Sequence, residues 1–356
     1  MIIKNITIKN FRNIGNQKIE FCDGINVIEG KNAQGKTNIL EALWLFSGQK
    51  SFRGAKDNEM IKIGESEAAL EIEFFSEERD QTASLSLEKG KEYMLNGVLV
   101  DRKAALFEKI PQIVFSPDDL SLISEGPSER RRFCDSVIGS FYPRYNEKIN
   151  RYNRALEQRK FVLKDYRFHP ELDFLLDDFE AEIVKSGAEI ILYRKRFLNK
   201  LSLYCPKIYS EISGGKEDFS LEYISTSGSD EKEFSELLKN SRENDSLTLT
   251  TSVGPHRDDI DIKIGGISAR KFGSQGQKRS GAITLKLAEA KLAEEIFGTN
   301  PIILLDDVMS ELDPSRQEYI LNHIKDTQVF ITCCDPENIK GLIAGKVINV
   351  ENGEVK

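Results

Sequence analysis

At 356 residues, with 39% hydrophobic and 30% charged side chains, the chain is long enough for about two domains and a substantial core. Its net charge of −8 argues against a protein that coats nucleic acid uniformly, and no apolar run approaches the roughly 18 residues a membrane helix needs. Cys22, Cys134, Cys205, Cys333 and Cys334 lack the C-x-x-C spacing of a metal site, and five is an odd number for a disulfide framework, so reduced thiols in a cytoplasmic protein are expected.

The opening "MIIKNITIKNFRNIG" alternates like a strand and lacks the basic-then-apolar plan of a signal peptide. "GINVIEG" reads as an apolar strand and "KTNILEALWLF" as the helix after it. "AALEIEFF" and "TASLSLE" alternate as strands, Asn96–Gly97 marks a hairpin turn, and the strand "QIVF" empties into the helix-start signal "SPDD". From about 128 to 212 the spacing turns helical. Phe133, Val137 and Phe141 recur at four, Pro143 interrupts, and Tyr145, Ile149, Tyr152 and Leu156 begin a second stripe. A third runs from Phe179 to Ile208, so two or three amphipathic helices are expected before "ISGGKED" closes the segment. "FSLEYIS", "LTLTTSV" and "DIDIKIGG" read as strands, with residues 226–246 a polar loop. A helix from Gln277 to Phe297, the strand "IILL", another helix and the strand "VFITCC" complete the pattern. Strands and helices alternating at both ends, with helices between, predict one α/β domain split by an insertion.

Charge is unevenly placed. Residues 130–167 hold eleven Arg or Lys against four Asp or Glu, a local +7 in an acidic chain. Arg144, Lys148 and Arg151, with Arg159 beyond them, fall near one helical face, which is either a solvated surface or a contact for a polyanion. Lys50, Arg53 and Lys56 offer a second basic surface, and Arg130–Arg132 fits either a polyanion contact or a structural role equally well.

Residues Gly30 to Thr37, "GKNAQGKT", complete the pattern G-x-x-x-x-G-K-[ST] between a strand and a helix. Gly30, Lys31, Asn32, Ala33, Gln34 and Gly35 would wrap backbone N–H groups around phosphates, Lys36 would reach the β- and γ-phosphates, and Thr37 would ligate Mg²⁺. "IILLDDVMSELD" supplies acids opposite that lysine: Asp306 to hold Mg²⁺ through water, Asp307 to position or deprotonate the attacking water. "FGSQGQKRSGA", residues 272–282, is a second helix start rich in small residues and suited to an anion. His256 in "GPHRDD" has no second ligand nearby and reads as structural, and Cys333–Cys334 reads as strand filling.

Taken together, these motifs resemble the ABC-type ATPase heads of SMC-like repair proteins. "NFRNIG", "FSPDDLSLISEGPSERRRFCD", "GPHRDD" and "ARKFGSQGQKR" are similar to the bacterial RecF family over essentially the whole length. The resemblance implies an ATPase lobe of residues 1–116 and 283–356, and a second lobe of residues 117–282. That lobe would contain a helical arm (128–212), strands (218–264) and a signature motif (274–278). It also implies Arg12 and Asn13 against base and ribose, and Ser274, Gly276 and Gln277 facing the γ-phosphate held by a second copy. An ATP-dependent homodimer that clamps duplex or gapped DNA follows, with RecR, RecO and RecA as pathway partners in repair, replication and the SOS response. Glu125 and Cys134 depart from that family's usual glycine and aliphatic residue, and Cys333 and Cys334 from its threonines. Against transporter-type heads, Asp307 stands where glutamate is common. Thr332 or Cys333 would lie at the switch histidine, and Ser116 or Asp118 at the Q-loop glutamine. Slow hydrolysis is the expectation. The alternatives at this point are a transporter ATPase subunit and a DNA scaffold that binds nucleotide without using it.

Overall fold

Alternation in the first hundred residues builds an antiparallel sheet. β1 (Ile2–Phe11), β2 (Ile14–Glu20), β4 (Ala68–Ser76), β5 (Arg79–Leu87), β6 (Lys91–Leu95) and β7 (Val98–Leu99) lie in the order β2-β1-β4-β5-β6-β7. A register shift between Ile3 and Asn5 buries Asn5 and Ile6 in succession. Asn96 and Gly97 join β6 to β7 with φ of 51° and 79°, the paired positive values of a two-residue hairpin turn. Between β2 and β4 come β3 (Ile25–Glu29) and α1 (Lys36–Trp44); after β7 come α2 (Ala104–Lys109), β8 (Gln112–Phe115) and α3 (Pro117–Leu120). The Asp119 carboxylate accepts the Ser116 N–H and hydroxyl, capping α3.

The computed structural model describes residues 1–88, 90–100, 104–166, 169–324, 326–334 and 345–356. The chain divides into two units, Met1–Leu120 with Lys286–Lys356, and Ser121–Leu285. The second unit holds α4 (Pro127–Phe141), α5 (Pro143–Leu163), α6 (Asp173–Ser213), β9 (Phe219–Ile224), α7 (Glu231–Asn240), α8 (Arg242–Thr248), β10 (Asp259–Ile264), β11 (Ile267–Ser268) and α9 (Ala269–Phe272). Pro127 and Pro143 each open a helix, where the missing N–H costs nothing. The strands form the antiparallel sheet β11-β10-β9.

Two expectations fail in this unit. Residues 226–246 are not a loop, because Asp230 caps α7 by accepting the Glu233 N–H at 2.8 Å, and Phe234 and Leu238 bury one face of that helix. "LTLTTSV" is not a strand. Its first residues end α8, Leu249 turns at φ 52°, and the Thr251 carbonyl accepts from His256 and Arg257 side chains instead of a ladder.

The arm is fastened by buried charge. Arg159 is fully buried on α5, and all five of its N–H donors are used. They go to Glu180 (2.9 Å), Asp245 (2.7 Å), Thr251 (2.9 Å), the Leu238 carbonyl (3.3 Å) and Ser241 (3.5 Å). Arg242 joins Glu180 from the other side at 2.6 Å and reaches Asp173 and Asp177. Arg159, which the sequence places on the solvated basic face, is therefore an internal tie.

α10 (Gln275–Phe297) carries the chain back to the first unit, followed by β12 (Ile302–Leu305), α11 (Pro314–Ile324), β13 (Val329–Cys333), β14 (Gly345–Glu351) and β15 (Glu354–Val355). These complete a sheet of order β15-β14-β3-β13-β12-β8, parallel except for the β14–β15 hairpin. Every residue of "IILL" is buried, as in a sheet covered on both faces. β3, β12 and β13 thus bring their carboxyl ends to one edge, where such sheets bind ligands.

Candidate nucleotide site

The loop from Gly30 to Thr37 leaves β3 at that edge and enters α1. Gly35 is the N-cap residue of α1 at φ 115°, and a Cβ there would lie 2.8 Å from Asn13 Oδ1. Lys31, Asn32 and Ala33 are exposed along the loop. Lys36 is only 7% exposed, and its Nζ donates to the carbonyls of Gly30 (2.8 Å) and Lys31 (3.0 Å) and to Cys334 Sγ (3.6 Å). The ammonium therefore sits at the mouth of the N–H cradle, where a polyphosphate would draw it.

Opposite stand the two acids that follow β12. Thr37 Oγ1 donates to Asp306 Oδ1 at 2.8 Å, and Thr332 Oγ1 donates to the same oxygen at 3.0 Å. Burial pushes the Asp306 carboxyl above its ordinary pKa, while those two hydroxyls pull against the shift. A buried carboxylate beside a hydroxyl, both hard oxygen donors, fits a divalent cation such as Mg²⁺, which would supply the missing positive charge. Asp307 adopts φ 55°, an uncommon conformation for a residue other than glycine. Its N–H donates to Thr332 Oγ1 (2.8 Å), and its carbonyl accepts the Ser310 hydroxyl (2.7 Å). Local strain held in place by fixed hydrogen bonds is common at functional positions.

Thr332 is thus engaged with both acids and does not face the loop. Cys333 is buried, and Cys334 reaches the loop, with Sγ 2.8 Å from Asn32 Oδ1. Strand filling describes Cys333 but not Cys334.

A second cluster supports the loop. Arg12, held at φ 56°, donates to both carboxylate oxygens of the fully buried Glu41 at 2.9 and 2.8 Å and to the Glu59 carbonyl at 2.9 Å. The Ser51 hydroxyl donates to the same carboxylate. Arg53 donates to Asn38 Oδ1 at 2.9 Å, and its charge favours ionised Asp306. Asn38 in turn donates to Asn13 Oδ1 at 2.8 Å, and Asn13 to the Gln34 carbonyl at 3.1 Å. Arg53, read from sequence as an alternative polyanion surface, belongs to this cluster. Glu41, Ser51 and Thr332 carry no signal in the sequence, since a lone polar residue in "NILEALW" or "FITC" looks like any other.

The second unit holds the other motif. Ser274 accepts the Gln277 N–H at 3.2 Å, while Gln277 Oε1 accepts the Ser274 N–H at 2.7 Å, a reciprocal cap that starts α10 two residues earlier than the sequence suggests. Ser274 is exposed, and Gly276 and Gln277 are half-buried. His256 accepts the Tyr152 hydroxyl at Nδ1 (2.6 Å) and donates from Nε2 to the Thr251 carbonyl (2.8 Å); burial lowers its pKa. Among the described residues no cluster of three metal-ligating side chains occurs. Arg130 is buried on Asp259 and Arg131 donates to the Asp258 carbonyl, so two of the arginine triplet are structural. Of the basic face, Arg144 and Arg151 are exposed, whereas Lys148 pairs with Glu189 at 2.7 Å.

A phosphate loop, an acid pair at the next strand edge and a separate capped signature helix define a head of the SMC ATPase class. The model of the RecF/RecN/SMC N terminal domain family matches residues 2–355. A DNA replication and repair protein RecF of Agathobacter rectalis is 39% identical over 360 residues, covering 100% of this chain and 99% of its own. Two solved structures match at TM-scores of 0.90 and 0.88: the recombination mediator protein RecF-ATPrS in the RecFOR pathway (36% identity, 99% of this chain, 97% of that one) and RecF-ATP in the same pathway (34%, 100% and 97%). The chain belongs to the RecF family of DNA replication and repair proteins. Among the described residues, no helix is long and apolar enough to cross a membrane.

Proposed function

We propose that this protein is a cytoplasmic, ATP-dependent DNA clamp of recombinational repair. Two chains close on duplex DNA at single-strand gaps and, with RecR and RecO, help load RecA in repair, replication and the SOS response. The observation that carries the reading is the meeting of Lys36, Thr37, Asp306 and Asp307 at one sheet edge, with Asp307 held in a strained conformation. The resemblance to a recombination mediator solved with ATP supports it.

Lys36 turns from its own loop carbonyls to the β- and γ-phosphates, where its charge stabilises the transferring group. Thr37 and Asp306 hold Mg²⁺, which neutralises phosphate charge when bound. Asp307 orients water or accepts its proton. Each nucleotide is completed by Ser274, Gly276 and Gln277 of the other copy. Assembly then requires both nucleotide and partner, and ATP stabilises the dimer by mass action. Hydrolysis is slow, well under the enzyme median of about 10 per second, because ATP serves mainly to hold the clamp. Full-length relatives that are repair proteins leave the transporter alternative without support.

The test is molar mass by light scattering. With ATP–Mg²⁺ the unaltered chain should double its mass, whereas ADP and the Ser274→Arg variant with ATP should leave it single. An unaltered protein that stays monomeric with ATP, on and off DNA, would remove the clamp. DNA contact makes its own prediction. Arg144→Glu with Arg151→Glu should flatten the slope of log affinity against log salt by about 2, from a loss of about 0.9 per phosphate contact. Lys148→Ala should matter less, because that ammonium is engaged with Glu189. An unchanged slope places the DNA surface elsewhere.

A further inference from the structure

The β14–β15 hairpin is packed against the phosphate loop. Its two-residue turn, Asn352–Gly353, has φ of 53° and 80°, the same geometry as Asn96–Gly97. The turn makes two hydrogen bonds to one loop residue. The Asn352 N–H donates to Gln34 Oε1 at 2.6 Å, and the Gly353 N–H donates to the Gln34 carbonyl at 2.8 Å. That carbonyl also accepts Asn13 Nδ2 at 3.1 Å. Gly353 is buried, and a Cβ there would lie 2.5 Å from the Asn13 carbonyl oxygen. On the strand before the turn, the Val350 carbonyl comes so close to Gly30 that a Cβ on Gly30 would lie 2.3 Å from it. Gln17 closes the outer side by accepting the Val355 N–H at 3.2 Å.

We propose that this hairpin is part of the nucleotide site, and that Asn352 and Gly353 are positioning residues for phosphate binding. The physical link is the planarity of the Gln34–Gly35 peptide. In a trans peptide the carbonyl of one residue and the N–H of the next point in opposite directions, and no cis peptide occurs among the described residues. Two donors hold the Gln34 carbonyl toward the hairpin and Asn13. The Gly35 N–H is therefore directed away from the hairpin, toward the concave side of the loop where phosphate oxygens are received. Gly35 occupies the N-cap of α1, so this N–H lies at the positive end of the helix dipole. An orphan loop peptide could rotate; one fixed by the turn is oriented before ligand arrives, and preorganisation lowers the cost of binding. The inference rests on the reading of Gly30–Thr37 as a nucleotide site and deepens it.

Gly353→Ala in the full chain is the test, with Gly298→Ala as its control. Gly298 has φ 66°, a comparable left-handed strain for alanine, but a Cβ there meets nothing within 4 Å. Affinity for ATP–Mg²⁺ and for ADP is measured by calorimetry, alongside thermal unfolding without nucleotide. Gly353→Ala should bind both nucleotides at least tenfold more weakly, while Gly298→Ala binds as the unaltered chain does. Gln34→Met, which removes the acceptor for Asn352 without altering the backbone, should bind about threefold more weakly at unchanged melting temperature. It decides the matter if Gly353→Ala does not fold. Unchanged affinity in Gly353→Ala, or equal loss in both glycine variants, overturns the proposal. An unaltered chain that binds no nucleotide overturns the site itself, and the proposal with it.

Discussion

Asp307→Asn should keep ATP and lose its hydrolysis, by about 10²–10⁴-fold in turnover. Asparagine tolerates the left-handed backbone that Asp307 adopts at φ 55°, so the chain path after β12 should survive. The N–H bond to Thr332 and the carbonyl bond to Ser310 are backbone contacts and remain. Thr37 and Asp306 are untouched, so metal and phosphate binding persist. What disappears is a group able to take a proton from water. The measurement is single-turnover ATP cleavage beside equilibrium nucleotide binding. A fall of less than tenfold in cleavage would remove Asp307 from the chemistry. A matched loss of binding would mean instead that the acid pair acts together in holding Mg²⁺.

Arg159→Met should destabilise the second unit by about 3–5 kcal/mol, the range for breaking a buried ion pair from one side. Glu180 would keep Arg242, but Asp245 would retain only the Ser241 hydroxyl and the Ser252 N–H among the described residues. A fully buried carboxylate without its cation carries the penalty. Adding Asp245→Leu should recover much of the loss, because removing both charges leaves no unpaired one. Urea unfolding of the full chain reads the effect, and nucleotide affinity in the first unit should not change. A cost near 1 kcal/mol for Arg159→Met alone would mean that water replaces the guanidinium at little expense.

The sequence carried the parts of the site whose chemistry is local. Eight consecutive residues specify the phosphate loop, and an apolar strand ending in two acids specifies its counterpart. Both signals lie within one strand–turn junction, where residue type and backbone geometry determine each other. Arg159 shows the opposite case. It sits one helical step past Leu156 in a run of charges, and its burial depends on Asp245, 86 residues away. No periodicity within α5 reports that partner. The segment from 226 to 253 was misread for a related reason: Thr and Ser there suit a strand by type, but Asp230 and the Phe234–Leu238 pair favour α7 first, and Thr251 serves buried side chains. The hairpin on Gln34 did have a signal. "ENGE" carries the same Asn-Gly turn that marked residues 96 and 97, but nothing in it names the loop it touches.

The order of the parallel sheet bears on how the protein is made. β3, which carries the phosphate loop, pairs on one side with β13 and on the other with β14. During translation both neighbours emerge some 300 residues after it, a delay of roughly 15–60 s at 5–20 residues per second. Through that interval the nascent chain displays a bare apolar strand with both edges open, beside an antiparallel sheet whose strands are already complete. A ribosome stalled before residue 329 would therefore yield a chain that can fold its amino-terminal sheet yet cannot assemble the cradle for ATP. Competence to bind nucleotide arrives late and all at once, so a truncated product has little means of poisoning the working pool by sequestering ATP.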